Sequence, residues 1–115
     1  MRFDELEHGR VVMSVQTRPD FANPLGMVHG GIAATLLDSV VGCAVHTTLP
    51  AGVSYTTLEL KVNYVRAVQT SGVTLTATGT VIHGGRRVAT AEGRVVDDRD
   101  RLIAHATTTC MILQS

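Results

Sequence analysis

The sequence has little of several kinds of residue, and each shortage excludes a class of function. Lys and Arg together number 10, as do Asp and Glu, so there is no excess of either charge. A chain without a basic surplus has no general electrostatic attraction for nucleic acid or for an anionic membrane. We therefore expect neither nucleic acid nor a membrane as a partner.

Long apolar runs are also missing. None approaches the roughly 18 residues of a membrane-spanning helix. The first residues, MRFDELEHGR, include acids where a secretory signal has basic residues followed by an apolar stretch. The sequence therefore predicts a cytoplasmic protein, and its length predicts a single domain over residues 1–115.

Residues that would mark a metal site or a familiar nucleophile are few. Cys43 and Cys110 lie in apolar surroundings without a partner at metal-ligand spacing, and the five histidines show no such spacing either. No serine lies in a Gly-x-Ser-x-Gly motif. We expect no metal, no cofactor, and neither a cysteine nor a serine nucleophile.

One segment has the hydrophobic period of a helix. From Ile32 to about Val45, apolar residues recur at i, i+3 and i+4, which predicts a helix over this range. It contains no Lys, Arg or Glu, so it offers no charged face to solvent. We expect other parts of the structure to cover most of its surface.

The remaining periodic segments predict strands. Alternation of apolar and polar residues, with turn residues between the segments, marks 11–18, 56–65, 73–83, 86–96 and 102–113. Gly84 and Gly85 are predicted to supply the positive φ of a hairpin turn. One helix and these strands predict an α+β domain in which an antiparallel sheet curls around a central helix. Exposed strand edges favour pairing with a second copy, so we expect at least a homodimer.

The start of the helix is a candidate site for chemistry. His29, Gly30 and Gly31 precede the periodic residues. The first N–H groups of a helix have no internal partner, so the Gly30 N–H is suited to donate to a carbonyl oxygen that is acquiring charge. Alternatively, the two glycines only allow the chain to enter a crowded helix.

Asp38 is the second candidate. It lies within an apolar stretch of the helix, between Leu37 and Ser39, and we expect it to lose solvent on folding. A buried structural carboxylate would need a partner, whereas a catalytic one explains the position directly. Eight residues separate Asp38 from Gly30, which is about 12 Å along a helix, so one carbonyl group cannot touch both. If both act, they belong to different subunits with antiparallel helices.

These residues also match a family pattern. Asn23, Gly26, His29, Gly30, Gly31 and Asp38, followed by residues 57 to 64, resemble the hotdog-fold acyl-CoA thioesterases, particularly the phenylacetic-acid-degradation (PaaI) type. The resemblance extends from Val11 to Leu113. It implies a five- or six-stranded sheet around one helix, an acyl-CoA substrate, and dimers that commonly associate into tetramers, a dimer of dimers.

The resemblance also implies roles for individual residues. The Gly30 N–H polarises the thioester carbonyl with His29 nearby, and the partner subunit's Asp38 is the nucleophile or the general base. Asn23 orients the water or the carboxylate, or else it only initiates an Asn-Pro turn. Thr57 places a hydroxyl near the attacking group, or else it is an ordinary strand threonine.

The remaining candidates concern substrate binding, and two positions depart from the pattern. Gly31 allows close approach of the ligand. Arg66, Arg86 and Arg87 meet the phosphates of coenzyme A, or else they are solvated arginines at strand ends.

Gly42, one turn after Asp38, lacks the hydroxyl with which some relatives hold the water. Ala67 stands where many relatives have proline.

The sequence therefore predicts a thioesterase. Few bulky aromatic residues are available to crowd a pocket, since there are two Phe, two Tyr and no Trp, and this favours aryl-acetyl or medium-chain acyl groups. Two alternatives stay open: an acyl-CoA-binding regulatory module without chemistry, and a hotdog enoyl-CoA hydratase.

Overall fold

A computed structural model describes residues 1–114 as six strands and one long helix. The elements are β1 Arg2–Glu7, β2 Arg10–Gln16, a 3₁₀ turn Pro19–Phe21, α1 Gly30–His46, β3 Ser54–Tyr64, β4 Thr74–Gly84, β5 Val88–Val96 and β6 Leu102–Leu113. All strand pairs are antiparallel, in the order β1-β2-β4-β5-β6-β3. This is the architecture of the hotdog fold, and the predicted fold class is confirmed.

The helix packs closely on the middle of the sheet. Its buried side chains face the strands and form the core with the inward residues of β2, β4, β5 and β6. At the crossing, Gly79 of β4 pairs with Gly93 of β5. A Cβ atom at Gly79 would collide with the carbonyl oxygen of Val40, and one at Gly93 would lie 2.9 Å from Val41 Cγ1. The sheet therefore lacks side chains where α1 comes nearest.

Only one side of α1 is covered by the sheet. The residues that contact the strands recur as pairs, at 36 and 37, 40 and 41, and 44 and 45. Thr35, Asp38 and His46 lie on the other side and are exposed. The expectation that most of the helix surface is covered is confirmed, since only these three of its 17 residues are exposed, but one sheet leaves a narrow stripe of the helix open in the single chain.

Two other local predictions need correction. The first strand, β1, was not anticipated, because its residues RFDELE are all exposed and carry no apolar alternation. The loop between β4 and β5 does form a hairpin, but neither Gly84 nor Gly85 has a positive φ. Gly85 lies there because a Cβ atom would come within 2.5 Å of the Val88 carbonyl oxygen.

The two edges of the sheet differ in character. β1 is short and irregular, with a register shift between Phe3 and Glu5. β3 is 11 residues long and pairs only with β6, so one side of its backbone has no strand neighbour in the single chain. A long open edge of this kind is normally paired or covered in soluble proteins. No helix within residues 1–114 has the length and apolar character needed to cross a membrane.

Candidate active site

The loop before α1 is held in place by Asn23. Its side-chain Oδ1 accepts hydrogen bonds from the backbone N–H groups of Leu25, at 3.0 Å, and Met27, at 3.1 Å. The Asn23 N–H in turn donates to the Met27 carbonyl oxygen at 2.6 Å. The oxygen of the Asn23 amide is therefore engaged in shaping the loop. A role in orienting water stays a prediction, and it would fall to the amide nitrogen.

His29 caps the helix with its side chain. The Gly31 N–H donates to His29 Nδ1 at 2.9 Å, while the backbone N–H of His29 donates to the Phe21 carbonyl oxygen at 2.7 Å. Side chains that accept from a first-turn N–H satisfy one of the orphan donors at a helix start. The bond occupies the Gly31 N–H, which is consequently not available to a ligand while the cap is in place.

The Gly30 N–H has no acceptor among residues 1–114. Gly30 is the first helical residue, so its N–H lies at the positive end of the helix dipole. The Tyr64 hydroxyl donates to the Gly30 carbonyl oxygen at 3.1 Å, and a Cβ atom at Gly30 would lie 3.1 Å from Tyr64 Cε1. The start of α1 is thus fixed against the end of β3, and the Gly30 N–H remains free to donate to a ligand.

Asp38 is exposed in the single chain. The prediction that folding removes it from solvent is therefore wrong for one copy. Its neighbours Leu37 and Val40 are fully buried because they face the sheet, whereas Asp38 lies on the uncovered side of α1. Only a partner placed against that side would withdraw the carboxylate from water.

Gly30 and Asp38 lie on the same straight element, as the sequence predicted. Both are within α1, whose rise of 1.5 Å per residue separates them by about 12 Å. Thr57 lies on β3 opposite the buried Cys110, so its side chain is on the helix side of the sheet, although it is exposed. The single chain therefore carries the donor and the carboxylate at separate places.

Sequence reasoning missed Tyr55. Its hydroxyl oxygen lies 2.7 Å from the position that a Cβ atom at Gly42 would occupy, one turn after Asp38. Burial, followed by the neighbouring Cys43 and Cys110 thiols and the Asp38 carboxylate, raises the pKa of Tyr55. The missing side chain at position 42 was the only signal in the sequence, and nothing there indicated which residue fills the space.

The three arginines lie at two ends of the molecule. Arg66 follows β3 beside the start of α1, where its N–H donates to the Ile103 carbonyl oxygen. Arg87 lies at the β4–β5 hairpin, near the opposite end of β3, because its carbonyl oxygen accepts from Ile112, the partner of Tyr55. Nine residues of strand between these ends span about 30 Å. One chain does not bring Arg66 together with Arg86 and Arg87.

Arg86 lines a groove of about 750 Å³ beyond the C-terminal end of α1. Arg10, Thr48 and Pro50 also line this groove. All three arginines that were predicted to meet phosphates are exposed. Their position leaves them accessible to a ligand, and their role stays a prediction.

Comparison with known proteins identifies the family. The sequence profile described as the thioesterase superfamily matches residues 25–104. A protein of Halobacterium salinarum with a provisional esterase name is 40% identical over 84 residues, covering 71% of this chain. The match covers 54% of that protein, so the chain spans about half of this curated relative's length.

Two solved structures extend the likeness to nearly the whole chain. A Ralstonia eutropha protein, provisionally named a thioesterase and related to phenylacetic acid degradation, is 34% identical with a TM-score of 0.83, covering 96% of this chain and 81% of its own. A Streptococcus mutans protein solved with acetyl-CoA is 27% identical with a TM-score of 0.89, covering 100% of this chain and 91% of its own. Sequence profile, relatives and fold agree: the chain belongs to the thioesterase superfamily.

Proposed function

We propose that the protein hydrolyses acyl-CoA thioesters at sites formed between two copies of the chain. One observation carries the proposal: a helix-start N–H without an acceptor, at Gly30, and an exposed carboxylate, Asp38, lie on the same helix about 12 Å apart. A second α1 laid antiparallel on the uncovered side would bring each donor toward the partner subunit's Asp38.

The chemistry needs few groups. A water attacks the thioester carbonyl carbon while Asp38 accepts its proton, and the Gly30 N–H of the other subunit stabilises the oxygen that becomes negative. Collapse of the tetrahedral intermediate breaks the C–S bond and releases coenzyme A as its thiolate, which then takes up a proton. In the alternative sequence, Asp38 attacks the carbonyl itself and water hydrolyses the resulting anhydride.

The open side of the molecule supports the pairing. Asp38 and the long unpaired edge of β3 are both accessible in the single chain. Docking two copies so that β3 meets β3 and α1 meets α1 would cover both features at once. Such an arrangement would also bring Arg66 of one chain to the same end as Arg86 and Arg87 of the other. A homotetramer, as a dimer of dimers, is our further proposal for the assembly.

The substrate class rests on the relatives. The Streptococcus mutans relative carries acetyl-CoA, and the Ralstonia eutropha relative is described as related to phenylacetic acid degradation. We propose aryl-acetyl-CoA or medium-chain acyl-CoA as substrate, with the arginines at the phosphates. Under this proposal Asn23, His29 and Thr57 complete the surroundings of the reacting groups.

The test is release of free thiol from a panel of aryl-acetyl, short, medium and long acyl-CoAs. Asp38→Asn keeps the size and planar shape of the side chain but removes its charge and its ability to accept a proton, so turnover should fall at least about a hundredfold without loss of folding. The matched control is Asp98→Asn, which changes an exposed carboxylate in the turn between β5 and β6 and should keep full turnover.

Other outcomes favour other functions. Tight binding of acyl-CoA with no thiol release across the panel would favour a non-catalytic binding module. Hydration of an enoyl-CoA would favour a hydratase. Undiminished thiol release by Asp38→Asn would remove this carboxylate from the mechanism.

A further inference from the structure

Position 42 has no side chain, yet the space beside it is occupied. A Cβ atom built on Gly42 would lie 2.7 Å from Tyr55 Oη and 3.3 Å from both Tyr55 Cε2 and Cζ. Gly42 is buried and Tyr55 is half-buried, so this contact lies at the edge of the core. The phenol of Tyr55 therefore stands where a residue at position 42 would place its own side chain.

The same position neighbours Asp38. Residues four apart on a helix lie on one face, with about 5 to 6 Å between their Cβ atoms. A hydroxyl against position 42 is consequently on the same face of α1 as the Asp38 carboxylate, one turn away. Its charge reaches the phenol, since it is one of the groups that raise the pKa of Tyr55.

Tyr55 is anchored but its hydroxyl is not used. The ring is half-buried against the core and tilts against the His46 ring, with centroids 5.7 Å apart. Unlike the Tyr64 hydroxyl, which donates to Gly30, the Tyr55 hydroxyl has no hydrogen-bond partner within residues 1–114. No buried side-chain oxygen or nitrogen in this range lacks a partner, so Tyr55 Oη is open to solvent.

The protonation state of the Tyr55 phenol allows it to donate a hydrogen bond. Burial is the largest cause of the raised pKa of Tyr55, and the Cys43, Cys110 and Asp38 charges add to it. The phenol therefore keeps its proton at neutral pH. A neutral hydroxyl can donate to one oxygen and accept from another.

We propose that the Tyr55 hydroxyl positions the attacking water beside Asp38 of the same subunit, supplying from β3 the hydroxyl that Gly42 cannot supply from the helix. The inference rests on the proposed thioesterase function and adds a residue to its site. Tyr55 acts through the water and through Asp38, so it is a positioning residue.

The first test is Tyr55→Phe, which removes the hydroxyl and keeps the ring against His46 and the core. Loss of one hydrogen bond to the water should lower kcat about tenfold, with KM changed less than about twofold, because the acyl-CoA itself loses no contact. Thermal unfolding of the variant should match that of the wild type.

The second test asks whether a hydroxyl placed on α1, at position 42, restores the kcat that Tyr55→Phe loses. In the Tyr55→Phe background the oxygen that would collide with a Cβ atom at position 42 is gone, so Gly42→Ser can present a hydroxyl from α1, beside the ring and one turn from Asp38. Y55F/G42S should recover most of the lost kcat. Y55F/G42A is the matched control: it adds the same Cβ atom, with the same 3.3 Å contacts to the ring, and no hydroxyl, so it should stay as slow as Y55F.

The outcomes separate this inference from the function on which it rests. Wild-type protein that releases no thiol from any acyl-CoA overturns both. Active wild type with equally active Y55F overturns only the role of Tyr55. A slow Y55F that G42S and G42A restore equally, or that neither restores, would show that turnover does not depend on a hydroxyl at this place, and would also overturn the proposal.

Discussion

His29 determines which N–H group of α1 is left for a ligand. Its Nδ1 accepts the Gly31 N–H, and its own N–H is held by Phe21, so Gly30 offers the first unused donor of the helix. A side chain that merely caps a helix can be replaced by another capping residue, whereas one that touches the reacting carbonyl cannot. We expect His29 to be of the first kind, because its Nδ1 caps the helix in the single chain.

His29→Asn and His29→Ala should therefore differ. Asn is among the best capping residues, so His29→Asn should keep turnover within about threefold of the wild type. His29→Ala removes the acceptor and should lower the unfolding free energy by about 1 kcal/mol, measured by urea denaturation. Its turnover should also fall further than that of His29→Asn, because the start of α1 is then no longer capped. If His29→Asn is as slow as Asp38→Asn, the imidazole takes part in the reaction directly.

For single residues, the sequence predicted which residues belong to the candidate site better than it predicted their burial and contacts. The Gly30 N–H was expected to lack an internal partner, and it does, because the start of any helix has orphan donors. Asp38 was expected to be withdrawn from water, and in one chain it is exposed, since helical period does not reveal which sides a sheet covers. Tyr55 was overlooked because its approach to Gly42 arises only when β3 folds across α1.

The relation between α1 and the sheet depends on two glycines. Gly79 and Gly93 pair across β4 and β5 directly beneath the helix, and together they let the Val40 and Val41 backbone approach the strands. At Gly79 the obstacle to a side chain is backbone, and at Gly93 it is mainly the side-chain methyl groups of Val41 and Leu37. Backbone cannot be displaced without moving the helix.

Alanine at these positions should consequently have graded effects. Gly79→Ala should lower the unfolding free energy by about 3 kcal/mol and Gly93→Ala by about 1 kcal/mol, because overpacking against rigid atoms costs more. Gly84→Ala, with nothing within 4 Å of its Cβ position, should change it by less than about 0.5 kcal/mol. Urea titrations of the three variants check the order, and equal stabilities would contradict the close approach.

Elements were predicted where the hydrophobic period was strong. The helix was expected from Ile32 to about Val45 and runs from Gly30 to His46, and the later four strands match within two residues at each end. β1 was missed because an edge strand exposed on both faces needs no apolar alternation. The closeness of α1 to the sheet was also not predictable, since a glycine in a strand has several possible reasons.

The whole molecule is elongated and covered unevenly. Its extents are 44 × 24 × 21 Å, and its radius of gyration is 14.4 Å, against about 13 Å for a compact chain of this length. One sheet and one helix make two layers, and the uncovered side of α1 bears Asp38 while the β3 edge stays open. A second copy would complete both the packing and the proposed reaction centre.

A proline at position 30 supplies the variant needed to test that centre. Gly30→Pro deletes the proposed oxyanion donor, and proline is favoured at the first position of a helix. His29 already has the extended backbone, φ −61° and ψ 137°, that precedes proline comfortably. Gly30→Ala is its control, because it makes the same contact with the exposed Tyr64 ring but keeps the N–H.

Complementation between two inactive variants tests most directly whether each site is shared by two chains. Asp38→Asn and Gly30→Pro are each assayed alone and after equal amounts are unfolded together and refolded as a mixture. Half of the dimers then contain one chain of each kind, with one intact site out of two, so roughly a quarter of the wild-type thiol release should return. A mixture no more active than the two variants separately would contradict the shared site.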